Sequence, residues 1–266
     1  MLYFVATPIG NLKDVTYRAV EVLNSVDEIA CEDTRHSLRF LNAYSIKKPL
    51  FSYHKFNEKE CGEKIIEKLK AGKDIAVISD AGMPVISDPG SVLIKLLIEE
   101  GLKFTVIPGA SAFTCALVLS GFPSDNFCFL GFLPQKNRER TEFLNKAKNI
   151  PTTTIFYSAP HDLEKDIKSI YEAFGDRRAA AVKEITKIHE KTEFFRLKDG
   201  VSGEIKGEYV LIIEPPEITE PDQELSAEEE IKALINAGID KKEALKTVAR
   251  KRNLPKSSLY KYTIDN

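Results

Sequence analysis

The chain has 266 residues, of which 43% are hydrophobic and 29% charged, and its 38 Lys and Arg nearly balance 40 Asp and Glu. This composition describes a soluble globular protein of about two domains, with no apolar run near the roughly 18 residues of a membrane span. Met1-Leu2-Tyr3-Phe4-Val5-Ala6 lacks the basic start of a secretory leader, so a cytoplasmic location is expected. Cys31, Cys61, Cys115 and Cys128 show no C-x-x-C spacing, and reduced thiols without a metal are expected.

In chain order, apolar strand-like runs alternate with helical periodicity. Tyr3 to Ala6 reads as a strand ending in Thr7-Pro8-Ile9-Gly10-Asn11, which has a single Gly where a dinucleotide fingerprint needs three. A helix over Val15 to Ser25 precedes a strand over Glu28 to Cys31, followed by the polar run Glu32-Asp33-Thr34-Arg35-His36. Helices over Ser37 to Tyr44 and Glu58 to Ala71 lead to the strand Ile75 to Ser79. The next loop, Asp80-Ala81-Gly82-Met83-Pro84-Val85-Ile86-Ser87-Asp88-Pro89-Gly90, is the most informative stretch. Gly and Pro fix its backbone, and it carries two carboxylates at the end of a buried strand, where open α/β sheets bind ligands. A helix over Ser91 to Glu100 and a strand over Lys103 to Ile107 follow. Pro108-Gly109-Ala110-Ser111-Ala112 then opens a helix over Ala110 to Ser120 whose free N–H groups suit an anion. If the sheet is parallel, these strand ends converge on one pocket.

Beyond Phe122, strands are expected at Cys128 to Gly131, Thr153 to Tyr157, Arg178 to Lys183, Thr192 to Arg196 and Glu208 to Ile213, with helices at Arg138 to Asn149 and Asp162 to Phe174. Short turns between the late strands suggest hairpins and a mixed sheet. From Glu217 to Glu230 there are seven acidic residues and no basic one, and Pro215, Pro216 and Pro221 mark a linker. From Lys241 to Tyr262 eight Lys or Arg face a single Glu. Ser226 to Ala237, Asp240 to Lys251 and Lys256 to Tyr262 read as three short helices resembling a basic helix-turn-helix, or else a small packing domain. The expected organisation is an α/β domain over 1–121, a second α/β domain over 122–216, a linker over 217–225 and a helical module over 226–266.

Six motifs occur in order: Ala6-Thr7-Pro8-Ile9-Gly10-Asn11-Leu12, Glu32-Asp33-Thr34-Arg35, Ser79-Asp80-Ala81-Gly82, Ile86-Ser87-Asp88-Pro89-Gly90, Gly131-Phe132-Leu133-Pro134 and Glu184-Ile185-Thr186-Lys187-Ile188-His189-Glu190. With them the chain resembles the bacterial ribosomal RNA small subunit methyltransferase I family, a branch of the tetrapyrrole methylase superfamily. The resemblance covers roughly residues 2 to 213. It implies a two-domain α/β body with S-adenosylmethionine in the cleft, 2′-O-methylation of a cytidine at the decoding site of 16S rRNA, free or in the 30S subunit, and a homodimer. By motif position it implies that Pro8, Asp80, Gly82, Met83, Ser111 and Ala112 lie along the cofactor, with Tyr157 and Ala180 walling the adenine. The chain departs from the family pattern at Met83, Ser158, Asp162 and Lys183.

An in-line attack on a sulfonium methyl expels a neutral thioether and needs no acid. Alignment is worth about 7 to 11 kcal/mol of barrier and a general base about 10²- to 10⁴-fold, so positioning should dominate. Candidate bases are Glu32, Asp33 and His54. Arg35, Lys187, Lys136 and Arg140 are candidates for phosphate contacts, the last two either as a clamp or as a solvated helix face. Two alternatives stay open: a methyltransferase acting on a tetrapyrrole, with a large apolar cleft, and a ligand-sensing helix-turn-helix regulator.

Overall fold

The computed structural model describes residues 1–216, 226–236, 239–252 and 254–259. Met1–Pro216 form one compact unit, and the described residues of Glu217–Asn266 form a second. The expected linker over 217–225, and the ends of the last helices at 237 and 260–262, lie outside the described residues.

The first sheet holds β1 (Leu2–Val5), β2 (Glu28–Cys31), β3 (Leu50–Ser52), β4 (Ile75–Ile78) and β5 (Phe104–Ile107) in the order β3-β2-β4-β1-β5, every pair parallel. Its central strands are apolar without interruption because helices cover both faces. The two-residue period of a strand sorts the side chains. Leu2, Phe4, Ile75 and Val77 pack on one face under α3 (Glu58–Lys70) and α4 (Ser91–Glu99). Val5, Ile29, Cys31, Ala76 and Ile78 pack on the other with α1 (Tyr17–Ser25) and α2 (Thr34–Ala43). Strand β3 has no counterpart among the sequence expectations: it is three residues at the sheet's edge directly after Pro49, too short to show a period.

The second sheet holds β6 (Phe127–Phe132), β7 (Thr153–Ser158), β8 (Arg178–Lys183), β9 (Lys191–Arg196) and β10 (Tyr209–Ile213) in the order β6-β7-β10-β8-β9. β6 runs parallel to β7 and the other pairs are antiparallel, giving the mixed sheet that the short turns suggest. One face buries Phe156, Ala179, Ala181, Leu211 and Ile213 with α6 (Asn137–Ala147) and α7 (Leu163–Phe174). The other face buries Ile155, Ala180, Val182, Val210 and Ile212 against Ala116 and Leu117 of α5 (Ala112–Ser120). Although α5 directly follows the first sheet in sequence, it packs on the second, so the chain changes sheets at 108–111.

In the C-terminal unit, α8 (Ala227–Asn236), α9 (Lys241–Arg252) and α10 (Lys256–Leu259) enclose a small core of Ile231, Leu245, Val248, Ala249 and Leu259. Glu230 accepts Arg252 Nε at 2.9 Å and also pairs with Lys251, which ties α8 to the basic end of α9.

Candidate active site

The C-terminal ends of β1, β4 and β5 meet the ends of β7 and β8 and the start of β10 around a cavity of about 440 Å³. Its floor is set by backbone pairing between two loops that lie 75 residues apart. Thr7 N–H donates to Gly82 O at 2.9 Å and Gly82 N–H returns a bond to Thr7 O at 3.2 Å, while Thr7 Oγ1 reaches Ser79 O at 3.2 Å. Gly82 has φ of 82°, which strains any residue with a Cβ, and a Cβ there would press on Ile9 Cγ2 at 3.1 Å.

Farther along this loop, Val85 and Ser87 adopt φ of 75° and 68°. A β-branched residue in that region is strained, and such strain persists only where the surroundings enforce it. The loop's far end is pinned by Glu58 of α3, whose Oε1 accepts Gly90 N–H at 2.8 Å and Val92 N–H at 3.1 Å at the start of α4. The loop after β8 repeats the pattern, with Glu184 at φ 51° and Thr186 at 67° on either side of Ile185, a lining residue.

Phe132, Tyr157, Ala159, Pro160 and Val210 make an apolar lining, the loop after β4 brings an acidic wall with Asp80 and Asp88, and Glu208 joins from the start of β10. No Lys, Arg or His lines it among the described residues. Burial, reinforced by Glu32 and Asp80, pushes the Asp88 carboxyl up to about 6. Burial likewise raises Glu32, with Asp80 adding to it and His54 opposing. Tyr157 is pushed up to about 12, mainly by burial. The cavity therefore suits a ligand with a flat apolar part and a positive charge.

The cofactor residues expected from the sequence divide here. Asp80, Gly82, Met83, Ser111, Ala112 and Tyr157 line the cavity. Pro8 is buried in the floor beside the lining residue Ile9. Ala180 is not among the lining residues: it is fully buried against α5, in the same cluster as the lining residues Ile9, Ile185 and Val210 but deeper in the sheet.

Among the expected bases, Asp33 is the N-cap of α2, accepting Arg35 N–H at 2.8 Å, and that bond holds its carboxyl below the usual range. Its own N–H donates to Asp80 Oδ1 at 3.3 Å. Glu32 and His54 approach the cluster from the ends of β2 and β3 without lining the cavity; His54 Nδ1 is buried with no hydrogen-bond partner among the described residues.

The expected phosphate contacts fare unequally. The Arg35 side chain is 90% exposed beside Asp33, and Lys136 is 80% exposed in a pair with Glu139. Lys187 Nζ is held by Glu184 at 3.0 Å and Glu208 at 2.9 Å at the cavity's edge. Arg140 corrects the sequence expectation. It is 2% exposed, with Nη1 3.0 Å from Asp166 Oδ1 and Nε donating to Pro134 O at 2.9 Å, so it holds α6 to α7 rather than meeting solvent. Asp166 also accepts Ser158 Oγ at 2.7 Å, and Ser158 is a lining residue.

Sequence reasoning left out Asp88, Glu208, Phe132 and Tyr209 as cavity residues. Asp88 and Phe132 lay inside recognised motifs and carried a signal. Glu208 and Tyr209 sit where the chain re-enters the sheet between β7 and β8, which no local pattern marks.

The sequence model of the Tetrapyrrole (Corrin/Porphyrin) Methylases matches residues 1–199, so fold and site define a member of that methylase class. The uroporphyrin-III C-methyl transferase of Thermus thermophilus complexed with S-adenyl homocysteine shares the fold, with a TM-score of 0.57 at 15% identity over 80% of this chain and 96% of that one. Closer in sequence, the ribosomal RNA small subunit methyltransferase I of Bacillus subtilis (strain 168) is 42% identical over 98% of this chain and 92% of its own length. Its namesake in Thermotoga maritima is 46% identical over 74% of this chain and 87% of its own length. The chain belongs to the ribosomal RNA small subunit methyltransferase I family.

Proposed function

We propose that this protein is an S-adenosylmethionine-dependent methyltransferase that modifies the ribose 2′-oxygen of a cytidine in the decoding region of 16S rRNA. The observation that carries this is a cavity with an aromatic and aliphatic wall, an acidic wall and no basic lining residue among those described. Its donor and acceptor set fits the cofactor: Asp80 complements the cationic part, the N-terminus of α5 at Ser111 and Ala112 complements the carboxylate, and Tyr157 and Pro160 complement the adenine. The volume of about 440 Å³ is in the range of small-molecule sites. When bound, the cofactor supplies an electrophilic methyl group.

The chain's own part is placement. The Thr7–Gly82 pairing and the strained loop fix the acidic wall before any ligand arrives, so little reorganisation accompanies binding. Exposed Arg35 and Lys136 contact RNA phosphates, and Lys187 orders the Glu184–Glu190 loop at the rim. Glu32, Asp33 and His54 tune and support the acidic wall. The helical module over 226–266 adds affinity for RNA, and the linker over 217–225 tethers it. The protein acts as a cytoplasmic homodimer on the 30S subunit. Relatives named for small-subunit ribosomal RNA methylation across this chain's length support this substrate over a tetrapyrrole.

The test is methyl transfer from labelled S-adenosylmethionine to 30S subunits lacking this modification, followed by nucleoside mapping. Label on a cytidine 2′-oxygen in the decoding region is the expected result. No transfer to 30S subunits or free 16S rRNA, with cofactor binding verified, overturns it.

A further inference from the structure

The chain surrounds the cavity with carboxyl groups, and most have a structural task. Asp33 caps α2. Asp80 takes the N–H of Asp33, and Glu208 accepts Lys187. Glu32 contributes no atom to the lining. Asp88 differs from all of these: it lines the cavity, it is half-buried, and no cation pairs with it among the described residues. Its position is imposed by the backbone, with Ser87 in the left-handed region before it and Pro89 after it. Tyr157, from β7, brings an aromatic ring close to the same spot.

We propose that Asp88 is the catalytic residue that accepts the proton of the attacking ribose 2′-hydroxyl. The assignment rests on the methyl-transfer function proposed above. In the balanced step the 2′-oxygen forms its bond to the methyl carbon and passes its proton to the Asp88 carboxylate. The electrons of the broken carbon–sulfur bond remain on sulfur, and Asp88 then releases the proton to water. The titratable groups facing it are Glu32 from the end of β2, Asp80 from its own loop and Tyr157 from β7. Burial and the first two charges raise its carboxyl to about 6, so it is ionised at neutral pH yet far more basic than a surface aspartate.

Three measurements test the assignment. Single-turnover methylation of 30S subunits by Asp88→Asn should fall about 10²- to 10³-fold, and the rise of rate with pH through about 6 should flatten. Cofactor affinity by calorimetry should change less than about threefold, which separates proton transfer from binding. Glu32→Gln should retain the rise and move it to lower pH, and a ¹³C-carboxyl titration of the free protein should show the Asp88 signal near 6. Asp88→Asn that keeps the parent's rate and pH profile overturns the assignment alone. So does a loss of cofactor affinity that accounts for the lost rate. A parent protein inactive on both 30S subunits and free rRNA overturns the methyl-transfer function and the assignment together.

Discussion

Asn11 donates its backbone N–H to Thr186 Oγ1 at 3.0 Å, closing a contact between residues 175 positions apart and joining the loop after β1 to the loop after β8. The neighbouring Gly10 makes this possible. A Cβ on residue 10 would lie 2.7 Å from Lys187 Cγ and 2.9 Å from Ile185 O. Gly10→Ala should therefore force the two loops apart and cost about 1 to 3 kcal/mol. A fall in Tm of about 2 to 9 °C, with weakened S-adenosylmethionine binding by calorimetry, is the expected outcome. Unchanged affinity would separate this seam from the cavity.

The two basic residues Lys136 and Arg140 should behave in opposite ways. Arg140→Leu leaves Asp166 buried without its cation, a loss of about 3 to 5 kcal/mol that urea denaturation will register. Lys136→Ala should leave stability within about 0.5 kcal/mol and weaken binding to rRNA, lowering the salt slope of the affinity by about one. An Arg140 variant of native stability would show that the pair with Asp166 is dispensable.

Helical periodicity had the means to distinguish these two residues. Arg140, Leu144 and Ala147 are all buried and recur at the four- and three-residue spacing of one helix face. Lys136 lies before α6, as its N-cap. The basic character of Lys136, Arg138 and Arg140 hid that difference. The strand ends were legible because Gly, Pro and Asp punctuate them, and the buried strands because their apolar runs are continuous. The choice among carboxylates was not legible. Asp80 and Asp88 stand in similar sequence surroundings, and only the packing of β2 and β7 against their loop decides which one loses its water.

Asp88 and Glu28 should tilt stability against pH in opposite directions. The Asp88 carboxyl is raised to about 6, above its ordinary value of 3.8, so its contribution is fully present below 3.8 and is lost as pH rises through about 6. The Tm of Asp88→Asn minus that of the parent should therefore become more positive between pH 4 and pH 7. Glu28 is held below its ordinary value by bonds from Lys68 and Lys73, each at 2.5 Å. Its contribution is present above about pH 4.5 and lost as pH falls through its lowered value. Glu28→Gln should lower Tm at pH 7 and converge on the parent in acid. Calorimetry of both variants over pH 3 to 7 checks both signs.

Ending the chain after Pro216 removes the second compact unit. The remaining body should keep its cavity, bind S-adenosylmethionine as the full chain does, and bind 30S subunits at least tenfold more weakly. Equal affinity for the subunit would remove the helical module from RNA recognition.

The passage of α5 from the first sheet to the second bears on how such a protein could be taken apart. The crossing segment at 108–111 ends in Ser111, a wall residue of the cavity, and α5 supplies one layer of the second sheet's core. Neither sheet carries the pocket alone. A cut directly after β5 would leave α5 with the second sheet but divide the cavity lining, and a cut after α5 would strip the second sheet of its cover and leave the first with an orphaned apolar helix. Recombination could exchange the surface loops of this chain freely, but it would have to inherit both sheets, and the pocket between them, as one piece.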